Sequence, residues 1–443
     1  MIQIGNLPLP VGAGMEELRK KAARALGVKP GTLGELTIVR QSIDARNKYD
    51  VHYVYTVETE MPGEKSLVVS APGKNVRLVE HIPYAFPKIT RRSHTMPVVV
   101  GMGPAGLFAA LYLARNGLPC VVLERGQDVD TRTRDVETFW TTGGLNPASN
   151  VQFGEGGAGT FSDGKLTTGT HDSRISSVLD TLAAAGAPED VKYSHKPHIG
   201  TDILREVVKT IRKELIALGC DVRFGHKLTG LHLSGDKLAS ITVQGPESRY
   251  DMLCDALVLA PGHSARDTFA MLHEAGVPME KKKFAIGVRI EHRQEKISSR
   301  QYGGAWSKLP PSDYKLACHL PDGRSAFTFC VCPGGKVVAA ASEEGHVVTN
   351  GMSYRARDGR TSTAVFWWAS ARRTSPGTCW PGCAFRRGGS VRPLNLAAAI
   401  TTPPPRRSAI SWPGGPQRGR GESCPPIPPV CTGAVWRAVC PTM

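Results

Sequence analysis

An α/β fold with a parallel sheet at its centre is predicted by three observations in this 443-residue chain. The apolar run Pro97-Val98-Val99-Val100 passes straight into a glycine turn, Gly101-Met102-Gly103-Pro104-Ala105-Gly106, and then into a helical stretch ending near Asn116. A second apolar run, Cys120 to Leu123, follows at the spacing of a strand–helix–strand unit and stops on an acid, Glu124. The flanks read differently, as a small α+β unit before and a β-rich unit after. The expected units are residues 1–93, 94–283 and 284–360, followed by an irregular tail over 361–443.

The first unit begins without a charged leader and apolar stretch, and no run of about 18 uninterrupted apolar residues occurs in the chain, so a cytoplasmic protein is expected. Met15 to Leu26 sets Leu18, Ala22, Ala25 and Leu26 on one face, with Gly27 where a C-cap belongs, which predicts a helix. Leu36 to Arg40 and Val51 to Thr59 predict strands. The second alternates Val51, Tyr53, Tyr55 and Val57 against His52, Val54, Thr56 and Glu58, the pattern of a half-buried antiparallel strand. A small ferredoxin-like α+β domain results. Its cations Lys20, Lys21, Arg24, Arg46 and Lys48 read as a solvated face.

The glycine turn of the second unit is G-x-G-x-x-G in the context that gives it meaning, between a strand and a helix. Gly101 permits the tight turn, Gly103 lets the backbone approach a pyrophosphate, and Gly106 lets the helix pack close on the strand. The helix opening at Pro104 and Ala105 offers its positive dipole end and unspent N–H groups to the phosphates. Glu124, 18 residues after Gly106, stands where a carboxylate accepts hydrogen bonds from ribose hydroxyls and disfavours a 2′-phosphate. This is a Rossmann-like unit, and the pattern does not by itself separate NAD from FAD.

The runs VVVGMGPAGLFAALYLARNG and VVLERG resemble the fingerprint of flavoproteins with two dinucleotide-binding folds. The runs NPASNVQFGEGGAGTFSDGKL, HKPHIGTDIL, KFAIGVRIEH and FCVCPGGKVVAAASEEGHVVTNGMSYRARDG resemble, more particularly, the uncharacterised bacterial FAD-dependent dehydrogenases. The resemblance covers about residues 1–360. It implies FAD as cofactor, with Gly101, Gly103, Ala105 and Gly106 at the pyrophosphate, Glu124 at the adenosine ribose and Arg125 near the adenosine. It further implies Val222 near the adenine, and Ala260 and Gly262 where the chain crosses beside FAD. The Gly-rich segment with which that family closes its FAD site has no counterpart here.

Gly154 to Lys165 is too rich in glycine for a helix or strand interior, so its backbone must approach something flat or anionic. Flavoproteins commonly run such a loop past the ring system. Gly156, Gly157, Ala158, Gly159 and Thr160 are the expected contacts, and Lys165 could stabilise negative charge on a reduced flavin. A helix from Asp202 to Leu218, a strand from Asp221 to Phe224 and a buried strand from Asp255 to Ala260 complete the predicted unit.

Two other pairs are read as structural. His195 and His198 flank Pro197, which breaks any helix that would align them on a metal, and no third ligand lies nearby in sequence. Cys330 and Cys332 point to one face of a predicted strand, and packing, or one thiol facing substrate, is preferred to a strained redox pair. The eleven cysteines suggest neither a disulfide framework nor a zinc site.

The tail departs from the rest in composition. Residues 361–443 hold ten Arg, no Lys and one Glu, and so contribute +9 of the formal +16. They also carry 13 of 33 prolines, five of seven tryptophans and five of 11 cysteines. From Phe366 the residues can be back-translated with G/C-rich codons and reread one base earlier as LVGVSPEDFPGDVLAGVRF, a sequence with ordinary acidic content. A change of reading frame near Arg360 is therefore expected, with a disordered tail beyond it.

These readings predict an FAD-dependent oxidoreductase passing a hydride or electron pair to or from an unknown small-molecule substrate or electron partner, the substrate face lying over about 284–360. One G-x-G-x-x-G occurs, so any NAD(P)H would bind transiently. The alternatives are a flavin-dependent hydroxylase or RNA-modifying enzyme, and, outside enzymes, a basic nucleic-acid binder. Basicity concentrated in the tail makes nucleic acid an unexpected partner, and no membrane association is expected.

Overall fold

The structure, a computed structural model, describes the chain apart from residues 83, 91–92, 281–284, 320–324, 370–434 and 443. The N-terminal unit contains β1 (Ile2–Pro10), α1 (Met15–Leu26), β2 (Thr37–Asp44), β3 (His52–Thr59), α2 (Glu64–Ser70) and β4 (Val76–Leu78). Its sheet order is β2-β3-β1-β4 with antiparallel neighbours throughout, the ferredoxin-like arrangement. Leu18, Ala22 and Leu26 of α1 are buried, but Ala23 takes the core place expected of Ala25. Gly27 caps the helix with φ 74°. On β3 the polar set is not wholly solvated. Glu58 is buried, its Oε1 accepting from Gln3 at 2.8 Å and its Oε2 lying 2.6 Å from Nε2 of His81.

The middle unit contains β5 (Val98–Val100), α3 (Pro104–Arg115), β6 (Val121–Glu124), α4 (Val129–Thr142), α5 (Arg174–Ala184) and α6 (Thr201–Ala217). It continues through β7 (Asp221–Phe224), β8 (Lys227–Ser234), β9 (Lys237–Gln244), β10 (Arg249–Leu253), β11 (Leu257–Leu259) and α7 (Arg266–Glu274). A parallel sheet runs β11-β5-β6-β7, and an antiparallel sheet runs β10-β9-β8. Alternation sorts the strand residues between two cores. Val99 and Val122 pack with Leu107, Leu111, Ile211 and Leu215 from α3 and α6. Val98, Val100, Val121 and Leu123 pack with Leu228, Ile241 and Val243 of the antiparallel sheet.

One expectation fails here. The strand expected to be buried over Asp255 to Ala260 shortens to β11, where Val258 is 36% and Leu259 39% exposed. The reason is its place at the sheet edge, with β5 as its one partner among the described strands.

The C-terminal unit contains β12 (Ala285–Arg293), α8 (Gln294–Tyr302), β13 (Ala317–His319), β14 (Ser325–Cys332), β15 (Lys336–Ala339), β16 (Thr349–Met352), β17 (Thr361–Ala369) and β18 (Val435–Thr442). The five-stranded sheet order is β13-β14-β17-β12-β18, with β15 and β16 as a separate hairpin. The expected end of ordered structure at 360 is therefore corrected. β17 is a central strand, paired with β12 from Arg293↔Thr361 to Ala285↔Ala369, and Ala364, Val365 and Trp367 are buried. Its stretch of β-branched and aromatic residues suits a two-sided core, whatever the composition beyond it. The expected disordered tail falls mainly on residues 370–434, outside the described residues. Among the described residues no helix is long and apolar enough to cross a membrane.

Candidate functional site

A cleft of about 230 Å³ opens at the carboxyl ends of β5 and β6, where open α/β sheets bind ligands. Its floor is the expected turn. Gly101 has φ 97°, and a Cβ there would sit 2.2 Å from the Ala260 carbonyl oxygen. Gly106, in the first turn of α3, faces the Gly101 carbonyl so closely that a Cβ would lie 1.8 Å from it. Both glycines are set by contact with backbone. Gly103 caps α3 and Pro104 opens it, leaving the helix's first N–H groups without partners inside the helix.

The second wall is the glycine loop. Gly157 has φ 64°, and a Cβ on it would come 2.9 Å from the Gly103 Cα, so the two loops meet glycine to glycine. The Gly156 N–H donates to the Met102 carbonyl at 2.8 Å and locks this meeting. A short 3-10 turn, Ala158–Phe161, then leads away from the cleft.

Glu124 holds three loops together. Its buried carboxylate accepts from the Met102 N–H at 2.7 Å on Oε2, and from Gly126 at 2.8 Å and Gly154 at 3.0 Å on Oε1. It still reaches the cleft lining. Arg125 also lines the cleft, donating to Asp267 and Thr268 at 2.8 Å each while its guanidinium lies 4.4 Å from the centre of the Phe153 ring.

Of the expected site residues, Gly101, Gly103, Pro104, Glu124, Arg125, Gly157, Ala158, Gly159, Ala260 and Gly262 line this one cleft. Gly106, Gly156 and Thr160 lie behind its walls, while Ala105 is exposed outside the lining; Thr160 is buried and its hydroxyl reaches the Glu155 carbonyl. Val222 packs on the core side of β7. Lys165 belongs to another cluster, with Nζ 2.7 Å from Asp163 and 3.3 Å from the Cys332 sulfur. Burial works against the Lys165 charge, but the two thiols and Asp163 outweigh it and raise its pKa.

Sequence reasoning missed Gln152, Phe153, His226, Lys227, His263 and Ser264, which also line the cleft. It also missed Arg132, a fully buried cation that donates to the carbonyls of Asn150 (2.9 Å), Val151 (3.0 Å), Glu155 (2.5 Å) and Gly157 (2.9 Å). The guanidinium also stacks 4.8 Å from the Phe161 ring centre. Burial lowers its pKa to about 10, and Glu124 and Glu155 limit the fall. No motif marks such a residue, because its partners are backbone carbonyls 18 to 25 positions away.

The two histidines face different partners. His195 Nδ1 lies 3.4 Å from Arg40, and His198 Nε2 lies 3.1 Å from the Arg355 carbonyl. Burial, then the nearby Arg357 charge, pulls His198 down to about 4. Among the described residues no group of three or more His, Cys, Asp or Glu side chains could hold a metal ion.

Comparison with known proteins agrees with this geometry. Residues 97–223 match the FAD binding domain family, residues 283–387 match the family described as FAD-dependent protein, C-terminal domain-like, and residues 1–60 match a domain of unknown function. The C-terminal match runs past Arg360, as β17 does. A protein of Clostridium beijerinckii, described as uncharacterized, is 49% identical over 365 residues, covering 81% of this chain and 67% of that one.

Among solved structures, the flavin-dependent brominase Bmp2 is similar at 12% identity and a TM-score of 0.35, over 69% of this chain and 64% of its own. The glycerol-3-phosphate dehydrogenase from Bacillus halodurans complexed with FAD is similar at 12% identity and a TM-score of 0.32, over 64% and 50%. The cleft together with the two FAD family matches defines an FAD-binding flavoprotein. The chain belongs to the family of FAD-dependent proteins that includes the Clostridium relative.

The residues present fit the cofactor. A Cβ at Gly101 or Gly157 would drive into backbone, and the turn, loop and helix end bring bare backbone to a concave wall suited to a pyrophosphate.

Proposed function

We propose that this protein is an FAD-dependent oxidoreductase of dehydrogenase type, passing a hydride or electron pair between the cofactor and a small-molecule substrate or electron partner. Bound FAD supplies the two-electron chemistry, and the protein supplies position and electrostatics. The observation that carries the reading is the meeting of Gly101, Gly103 and Gly157 across one cleft, which brings bare backbone to its inner surface.

In this reading the amino end of α3 with Gly103 and Pro104 receives the pyrophosphate. Glu124 takes the adenosine ribose at the one acceptor position that its three backbone N–H partners leave it. Arg125, held by Asp267 and Thr268, borders the adenosine. Gly157, Ala158 and Gly159 pass beside the ring, and Ala260 and Gly262 close the opposite rim. The five-stranded sheet and the β15–β16 hairpin supply the substrate face. NAD(P)H, where it acts, binds transiently as an external reductant. The free cysteines among the described residues, of which Cys120, Cys220, Cys254 and Cys332 are buried, support a cytoplasmic setting.

The test is spectroscopic. Full-length protein titrated with FAD should quench flavin fluorescence and turn yellow, and the visible band should bleach anaerobically with an alcohol, amine or NAD(P)H donor. Protein that takes up no FAD on titration would overturn the reading. Bleaching by NAD(P)H followed by oxygen insertion into an added aromatic would move it to the hydroxylases.

A further inference from the structure

Beyond the glycine loop the chain makes a short bridge that motif spacing does not disclose. The Leu166 N–H donates to the Pro197 carbonyl at 3.0 Å and the Ile199 N–H to the Gly164 carbonyl at 2.9 Å, which sets Lys165 directly opposite His198 in antiparallel register. In this pattern the opposed residues do not hydrogen-bond to each other through backbone, so their Cα atoms come to about 4.5 Å and their side chains share one face. The C-terminal unit meets the bridge backbone to backbone. Gly200 has φ 86°, and a Cβ there would lie 2.2 Å from the Arg355 nitrogen.

Most polar groups of this junction are used up by one another. The Asp163 carboxylate is full: Oδ1 accepts from the Ser353 hydroxyl and from Arg357 Nε at 3.3 Å, and Oδ2 from Arg357 Nη2 and from Lys165 Nζ at 2.7 Å. Arg355 is paired with Asp190 at 2.6 Å, and Asp202 accepts from the Arg355 backbone N–H at 2.9 Å. Two positions are left over. Of the three donors of the Lys165 ammonium, Asp163 takes one and the Cys332 sulfur, at 3.3 Å, another; the third has no partner among the described residues, and the Lys165 side chain is 30% exposed where that of Asp163 is 1%. His198 Nε2 lies 3.1 Å from the Arg355 carbonyl, which can only accept, so Nε2 carries the proton and Nδ1 presents a lone pair. Burial, then the Arg357 charge, keeps this imidazole neutral above about 4.

We propose that Lys165 and His198 form a binding site for a small 2-hydroxycarboxylate, in which the Lys165 ammonium takes the carboxylate and His198 Nδ1 accepts a hydrogen bond from the hydroxyl on the adjacent carbon. The site rests on the flavoprotein reading above and adds a substrate class to it. A cation and a neutral acceptor rise from Cα atoms about 4.5 Å apart on one face, a spacing that neighbouring groups of one small molecule can meet. Lys165 shares its carboxylate with Arg357, so an arriving carboxylate pairs with an ammonium that is only partly matched. The corresponding amino acid fits less well, because its ammonium would face the charges of Lys165 and Arg357. A plain alcohol brings nothing to Lys165, and a plain carboxylate nothing to His198.

The test uses the full chain, anaerobically, with and without FAD, and reads the binding of lactate, propanoate and propane-1,2-diol by saturation-transfer NMR. Lactate should bind about threefold or more tighter than propanoate, which lacks the hydroxyl, and about tenfold or more tighter than the diol, which lacks the carboxylate. Lys165→Met should weaken lactate about tenfold or more, Lys165→Arg should keep most of the affinity, and His198→Phe should bring lactate down to the level of propanoate. Wild-type protein that binds lactate no better than propanoate or the diol overturns the proposal. So does Lys165→Met protein that binds lactate as tightly as wild type. Lactate selectivity in a chain that takes up no FAD would remove the flavin reading and leave this site standing, whereas FAD uptake without lactate selectivity would do the reverse. If the variants fail to fold, the wild-type ranking of the three probes decides.

Discussion

Arg132→Met removes the cation that fastens the glycine loop while nearly keeping its volume. The guanidinium makes four hydrogen bonds to buried carbonyls of Asn150, Val151, Glu155 and Gly157, and it is itself fully buried. Hydrogen bonds to charged groups contribute about 1.5 to 3 kcal/mol each. They do not add in full, because desolvating the guanidinium already offsets part of them, as the fall of its pKa to about 10 records. Removing one partner of a buried charged network costs about 3 to 5 kcal/mol, and that is the loss expected here. Urea unfolding of the apoprotein measures it. Where the loss is taken locally, Gly157 is released from Gly103, and FAD affinity should fall by about tenfold or more, or at least about 1.4 kcal/mol. Arg132→Lys, with one donor group in place of a fork, should recover only part of either effect. A change under about 1 kcal/mol together with unchanged FAD affinity would show that the loop is held otherwise.

Gly101→Ala and Gly103→Ala should separate folding from binding. The first sets a Cβ 2.2 Å from a backbone carbonyl at φ 97° and should cost about 3 kcal/mol or more in thermal stability, whereas the second meets only the Gly157 Cα at 3.8 Å and should fold normally yet bind FAD more weakly. Equal melting temperatures for the two would contradict this. Glu124→Gln turns an N–H₂ group toward backbone N–H donors now held by the carboxylate, so a loss of about 2 to 4 kcal/mol is expected by denaturant titration at pH 7.

Acid should loosen the junction between loop and C-terminal sheet. Asp163 is held at about 2 because Lys165 and Arg357 outweigh its burial. Its folded pKa is thus depressed, and its stabilisation, about 2 kcal/mol, is present above about 3.8 and lost as pH falls toward 2. His198, depressed to about 4 by burial, acts in the same direction between about 6.5 and 4, since the unfolded chain takes its proton first. Asp163→Asn should flatten the melting curve's pH dependence at the acid end, and His198→Asn in the higher window; an unchanged profile would remove these groups from the account.

The parallel strands, the α3 helix and the turn between them were legible because each is set by neighbours in sequence: branched residues for the strands, Pro104 and glycines for the turn. The first strand of the chain was harder to see. Its apolar alternation, Ile2 and Ile4 and then Leu7 and Leu9, changes phase at Asn6, whose φ of 56° accompanies the pairing irregularity between Ile4 and Leu7. β17 was obscured by the composition that follows it, although Thr361 to Ala369 has every property of a buried strand.

The cofactor class and the backbone that would carry the phosphates therefore follow from the amino-acid sequence alone, since a glycine turn between strand and helix is a local structure with a local cause. The roles of Glu124 as a clamp, of Arg132 as the loop's fastener and of Lys165 at the two thiols were decided only by tertiary structure. Apart from Gly126 beside Glu124, these partners lie from 18 to 167 residues away, and a buried charge must satisfy whatever polar groups the fold brings to it.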